Sequence, residues 1–240
     1  MKTTYHGDHL IKLTRFWSMN CYLVREADGL TLIDTGISGS ASAILAAAQR
    51  EQLPITRLAL THAHVDHVGS LDAVAAHLPQ AEIAFSERTA RFLAGEVSLL
   101  PGEPQTKIKG GFTPCTTEAT RLLQPGDRFG SLTVIAAPGH SPDQIAFWDE
   151  RDDTLIAGDA FQTLGGIAVS GALRWRFPFP AMATWHRPTA LATARTLRQL
   201  NPTRLAVGHG PVIEQPGPIM DAAIAETERQ LGLEPTHQEA

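Results

Sequence analysis

The chain has 240 residues, 43% of them hydrophobic and 19% charged, a balance that builds a buried core without disulfide or metal staples. Twenty bases against 25 acids leave a formal charge of −5, which argues against a sequence-independent nucleic-acid binder, and two cysteines, Cys21 and Cys115, exclude a disulfide framework. No run approaches the roughly 18 apolar residues of a membrane span, and Met1 to Phe16 lacks the apolar stretch of a secretory signal, so a cytoplasmic protein without a membrane partner is expected.

Along the chain, short apolar runs alternate with helical patterns, which points to an α/β fold. Residues 21–24 and 30–33 read as strands joined by a turn at Ala27-Asp28-Gly29. The Ala-rich stretch Ser38 to Arg50 follows Gly36 and reads as a helix, residues 57–61 as a buried strand, and Leu71 to His77 as a helix stopped by Pro79. Pro101 to Thr117 has neither period and is expected to be a long surface loop within one domain spanning residues 1–240. Strands follow at 132–135, 144–148 and 154–157, then a helix from Thr189 to Leu200, a strand at 205–207 and a closing helix from Pro218 to Leu231. The tail Glu234 to Ala240 is expected to fray. Thr31-Leu32-Ile33-Asp34 and Thr154-Leu155-Ile156-Ala157 are alike, a hint of two related halves.

Ten histidines against two cysteines tilt any metal chemistry toward imidazole. Thr61-His62-Ala63-His64-Val65-Asp66-His67 directly follows a predicted buried strand. Residues i and i+2 at an extended strand end point the same way, so His62 and His64 can grip one ion, while Asp66 and His67 turn toward a neighbouring one. Three more donors stand at the ends of predicted strands, each beside glycine: His140 in Pro138-Gly139-His140-Ser141, Asp159 in Gly158-Asp159-Ala160 and His209 in Gly208-His209-Gly210. Alone, each reads equally well as a turn residue or helix cap. Together they supply five imidazoles and two carboxylates, enough for two ions.

On these four segments and Leu32-Ile33-Asp34-Thr35-Gly36, five in all and in the family's order from about Asn20 to Ile213, the chain resembles the metallo-β-lactamase superfamily. The resemblance implies a four-layer αβ/βα sandwich with a binuclear metal site at one edge. His62, His64 and His140 would hold the first metal, Asp66, His67 and His209 the second, and Asp159 would bridge them. Asp34 would orient a ligand imidazole through its distal N–H, its plain alternative being a turn residue. The cofactor would be two divalent ions, zinc first, with manganese or iron as alternates.

Such a pair of ions holds a bridging hydroxide and polarises a carbonyl, so the expected activity is metal-dependent hydrolysis, with Asp66 as the proton shuttle. No G-x-S-x-G elbow, Walker loop or H-E-x-x-H competes. The Asp at position 159 sets the chain apart from the secreted β-lactamases that it resembles. Gln162 stands where the similar homoserine-lactone lactonases carry Tyr, and a glutathione-gripping helical region like that of glyoxalase II is not matched. A small ester, lactone or thioester is the expected substrate. The alternative is a mononuclear iron enzyme like the persulfide dioxygenases, using His62, His140 and Asp159. The stretch Phe161 to Arg187 carries Phe161, Trp175, Phe177, Phe179 and Trp185 among Arg174 and Arg176. These residues would wall a substrate pocket, with an arginine on a substrate carboxylate, or else pack the sandwich edge or a homodimer contact.

Overall fold

The computed structural model describes residues 1–233, so the expected frayed tail lies outside the described residues. In the first half, strands β1 (Lys2–His6), β2 (Leu10–Arg15), β3 (Met19–Glu26) and β4 (Gly29–Ile33) precede helix α1 (Ala41–Glu51). There follow β5 (Ile55–Ala59), α2 (Val65–Val68), α3 (Leu71–Ala75), β6 (Glu82–Ser86), α4 (Glu87–Leu93) and β7 (Arg121–Leu123). The second half holds β8 (Arg128–Phe129), β9 (Leu132–Ala136), β10 (Ile145–Asp149), β11 (Thr154–Ile156), β12 (Phe161–Gln162), β13 (Ala168–Val169), α5 (Phe179–Ala183), α6 (Arg187–Gln199), β14 (Arg204–Ala206), β15 (Ile213–Glu214) and α7 (Gly217–Gln230).

Strands β1 to β7 form one sheet in sequence order, and a second sheet runs β15-β14-β11-β10-β9-β8. Side-chain alternation sorts the residues of each strand between two cores. In β3, Cys21 and Leu23 join Ile44, Leu71 and Phe92 under the helices, while Tyr22 and Val24 meet Phe129, Val134 and Phe147 of the other sheet. In β10, Ile145 and Phe147 point into that inter-sheet core, while Ala146 and Trp148 pack with Leu191, Leu197 and Met220 of α6 and α7. Helix, sheet, sheet, helix: the result is the four-layer αβ/βα sandwich, each fully buried Leu or Phe contributing about 1.5–3 kcal/mol.

The likeness between residues 31–34 and 154–157 has a topological counterpart. β4 lies between antiparallel β3 and parallel β5, and β11 lies between antiparallel β10 and parallel β14. Asp34 and Asp159 thus each follow the C-terminal end of a strand that has a parallel neighbour.

Several elements differ from expectation. Met1 to Phe16, for which no element was expected, forms the hairpin β1–β2, in which Leu10, Ile11 and Leu13 bury and the other positions are polar or aromatic. Helix α1 starts at Ala41 and not Ser38, since Gly36 and Gly39 take φ of 64° and 77°, outside the helical region. The segment 101–117 holds neither helix nor strand, as expected, but it is not confined to the surface: His64 forms a β-bridge with Phe112. Among the described residues no helix is long and apolar enough to cross a membrane.

Candidate metal centre

The parallel pairings β4–β5 and β11–β14 bring strand C-termini from both sheets to one edge. His62 and His64 leave β5, with His64 at the extended position that opens α2 (φ −66°, ψ 146°), and one turn of helix presents Asp66 and His67. His140 follows β9, Asp159 follows β11 and His209 follows β14. The structure brings all seven together. One ligand atom each from His62, His64 and His140 lies within 4.8 Å of the others, as do those of Asp66, His67 and His209, and those of His62, His67 and Asp159.

The outer partners set which nitrogen of each ring faces inward. Asp34 Oδ2 accepts from His67 Nδ1 at 2.7 Å and from Thr61 Oγ1 at 2.8 Å, and Asp34 Oδ1 accepts from the Thr61 backbone N–H at 2.7 Å. With its proton committed to Asp34, Thr61 Oγ1 accepts from His62 Nδ1 at 3.0 Å. His64 Nε2 donates to the Lys109 carbonyl at 3.0 Å, His140 Nδ1 to Ser170 Oγ at 2.9 Å and His209 Nδ1 to the Ser18 carbonyl at 3.3 Å. Each ring therefore turns a lone pair toward the cluster when neutral.

Those inner atoms crowd one another. His64 Nδ1 is 2.9 Å from His140 Nε2 and 3.1 Å from His62 Nε2. Asp159 Oδ2 lies 3.1 Å from His209 Nε2 and 3.4 Å from His140 Nε2, while Asp159 Oδ1 faces His67 Nε2 at 3.5 Å. His67 Nε2 and Asp159 Oδ1 are buried without a hydrogen-bond partner. Lone pairs gathered at such distances, with two orphaned polar atoms among them, demand positive charge between them. The donor set and its surplus of lone pairs fit divalent metal.

The electrostatics say the same. Burial and the neighbouring His67 and His64 rings push the His62 imidazole far below its usual range, and burial takes His140 down to about 3. Burial also opposes charge on His209, yet Asp159 and Asp66 outweigh it and lift it to about 9. Likewise Asp34, Asp159 and Asp66 override burial to raise His67, while His209 and His67 hold Asp159 well below the carboxylate range. Without an ion, protons on His67 and His209 supply the charge that the carboxylates require.

The backbone is shaped to let these groups close in. A Cβ on Gly208 would lie 2.0 Å from Asp159 Oδ1, and one on Gly110 (φ +94°) would lie 2.1 Å from His64 Nε2. From the other side, Asp143 accepts from the Ala63 N–H at 2.8 Å, from Thr89 Oγ1 at 2.9 Å and from Ser141 Oγ, tying the 62–64 segment to the loop that carries His140. Asp143 escaped the sequence reading; its one signal is its place three residues after His140.

The donors open on a cavity of about 410 Å³. His64, Asp66, His140, Asp159 and His209 form its floor, and its walls are Phe16, Trp17, Met19, Phe177, Phe179, Pro180 and Ala183. Of the residues expected in the wall, Phe177 and Phe179 line it. Phe161 does not: it is fully buried in the core between the second sheet and α6 and α7. Trp185 is also interior, its Nε1 donating to the Thr106 carbonyl at 3.1 Å, which pins the 101–117 loop. Trp175 and Arg176 are exposed outside the cavity, and Arg174, offered as a carboxylate anchor, is engaged by Glu226 at 2.7 Å. The reason is local: α5 turns the segment after Pro178 across the site, so only residues from Phe177 to Ala183 face it. The opposite wall, Phe16 to Met19, is the β2–β3 turn, where Phe16 and Trp17 take φ of 45° and 57°. Two adjacent aromatics in a polar N-terminal segment were the available signal.

A fold and a site of this kind define a class. The family model described as "Metallo-beta-lactamase superfamily" matches residues 14–209, and the chain belongs to that superfamily, whose members are largely metal-dependent hydrolases. Among its relatives is "Uncharacterized protein YobT" of Bacillus subtilis (strain 168), 47% identical over 212 residues, covering 88% of this chain and 91% of the relative. The "Hydroxyacylglutathione hydrolase" of Rhodospirillum rubrum is 31% identical over 146 residues, 60% of this chain and 48% of that protein. A solved structure described as "TTHA1623 in a di-iron-bound form" superposes with a TM-score of 0.61 at 25% identity, covering 85% of this chain and 93% of that one.

Proposed function

We propose that the protein is a binuclear metal-dependent hydrolase of small esters, lactones or thioesters. His62, His64 and His140 would hold one divalent ion and Asp66, His67 and His209 the other, and Asp159 would serve both. The observation that carries this reading is the pair of orphaned atoms, His67 Nε2 and Asp159 Oδ1, buried among converging lone pairs at the floor of an apolar cavity. Zinc suits this donor set, and iron or manganese can replace it; the di-iron neighbour supports that latitude. The ions supply Lewis acidity toward a carbonyl oxygen and bring the pKa of a coordinated water toward neutrality.

The chain's own residues do the rest. Asp34 holds the His67 ring so that Nε2 faces inward, and Ser170 does the same for His140. Phe177, Phe179, Trp17 and Met19 enclose the acyl or alcohol portion of the substrate and exclude bulk water. Asp66 is the ligand carboxylate with a partly exposed side chain, at 23%, and it faces the cavity. It is the group placed to carry a proton to the leaving alcohol or thiol. A thioester or ester is favoured over a β-lactam by the carboxylate at Asp159, and the similarity to a hydroxyacylglutathione hydrolase supports a thioester. The mononuclear iron reading would engage His62, His140 and Asp159 and leave Asp66, His67 and His209 without a task; their convergence favours two ions.

A panel of thioesters, lactones and aryl esters tests this. Turnover of at least one class, lost with bound metal in both His62→Ala and Asp159→Ala, is expected. Variants that keep metal and turnover would refute the assignment.

A further inference from the structure

One face of the β1–β2 hairpin breaks the pattern of its sheet. Leu10 is buried in the inter-sheet core, and two residues on, at the same facing register, stands Lys12, 8% exposed. Thr4 pairs opposite Lys12, and Lys2 opposite Thr14, so four polar side chains share this face. They line a cavity of about 260 Å³ closed by Trp17, Leu164, Gly210 and Pro211. Trp17 belongs to the walls of both this cavity and the one over the metal centre, and Gly210 of this lining directly follows His209 of the other.

Lys12 lacks an acidic partner: among the described residues no carboxylate lies within 4.0 Å of Nζ. Its one hydrogen bond goes to the Gly210 carbonyl at 3.4 Å, which also accepts from Asn20 Nδ2 at 2.8 Å. Two of the three ammonium protons are therefore uncommitted. Glu214, the nearest acid along β15, accepts from Arg204 Nε at 2.9 Å. Thr14 Oγ1 donates to Asn20 Oδ1 at 2.9 Å, so its hydroxyl proton is spent as well. A buried, half-satisfied ammonium with a second lysine on the rim is costly unless an anion joins it. Burial and the Lys2 charge both press Lys12 toward its neutral form, the strain that an anion would relieve.

We propose that this cavity is an anion subsite, in which Lys12 and Lys2 bind a carboxylate or phosphate on the far end of the substrate whose scissile group lies at the metal centre. The inference rests on the hydrolase reading for its substrate half only. The cavity size suits a compact anionic group, and the shared indole places it next to the acyl-binding wall.

The test begins without turnover. Inorganic phosphate and acetate are titrated into the full chain after chelation, with binding read by calorimetry. Saturable binding is expected for at least one of them, weakened about tenfold or more by Lys12→Met and about threefold by Lys2→Gln, a rim residue whose replacement does not disturb packing. The tighter of the two anions names the headgroup. No saturable binding, or binding indifferent to both variants, overturns the subsite. In the metal-loaded protein, an ester ending in the preferred anion should then show a KM about tenfold below its neutral amide analogue, a gap that Lys12→Met erases. Equal KM values with intact anion binding would overturn the substrate role, and failure of every ester would count against the hydrolase reading while the titration still judges the cavity.

Discussion

Asp34 does three things with one side chain: it accepts from the Thr61 amide, the Thr61 hydroxyl and the His67 ring. Its backbone sits at φ 61°, a conformation that Asn also tolerates. Asp34→Asn therefore keeps the turn and removes the charge. It is expected to weaken metal binding about 10–100-fold in a chelator competition, and unchanged affinity would remove Asp34 from its positioning role. Asp143 makes a different prediction. Truncation by Asp143→Ala strands the Ala63 N–H and the Ser141 hydroxyl in the interior and leaves the Thr89 hydroxyl with Ser86 alone, which costs about 3 kcal/mol and should lower the urea midpoint of unfolding. Both residues are acids near turns, and what separates them in the sequence is context. Asp34 sits in a five-residue segment with its own family resemblance, whereas Asp143 is meaningful only once Ala63 and Thr89, distant in sequence, are seen around it.

At the level of elements, the strands buried on both faces were legible, because apolar runs such as residues 30–33 and 154–156 leave no other reading. The hairpin β1–β2 was not: Ile11-Lys12-Leu13-Thr14 alternates over four residues only, and its partner β1, Lys2-Thr3-Thr4-Tyr5-His6, has no aliphatic residue to mark it as a strand. The seven converging side chains were legible for a related reason: each sits in the loop or single helical turn that follows a recognisable strand, where sequence order maps simply onto space. The cavity walls were not, because the turn of α5 decides which of several aromatics face inward, and that turn depends on tertiary packing. The β2–β3 turn tests the wall assignment. Trp17→Ala should raise KM for aryl and long-acyl esters about tenfold with a smaller effect on kcat, whereas the same truncation at exposed Trp175, outside the cavity, should leave both unchanged.

For the whole molecule, the centre joins the two halves of the sandwich: His62, His64, Asp66 and His67 come from the first sheet, and His140, Asp159 and His209 from the second. Metal bound there is linked to folding, so chelation should lower the melting temperature. The stripped protein should also acquire a pH dependence. His209 has its folded pKa raised to about 9 above an ordinary 6.5, so its stabilisation is complete below 6.5 and lost as pH rises through 9; His67 shifts in the same direction. Stability of the stripped protein should thus fall between pH 7 and 9. The metal-loaded protein, whose inner nitrogens hold ions in place of protons, should not follow it; parallel thermal melts of the two forms check the contrast.

Seven side chains from both halves are proposed to hold a pair of cations, and elemental analysis of the purified chain measures this directly. About two divalent ions per chain are expected, falling to one or none in Asp159→Ala. A folded chain that carries no ion and takes up none when zinc, iron or manganese is supplied would contradict it.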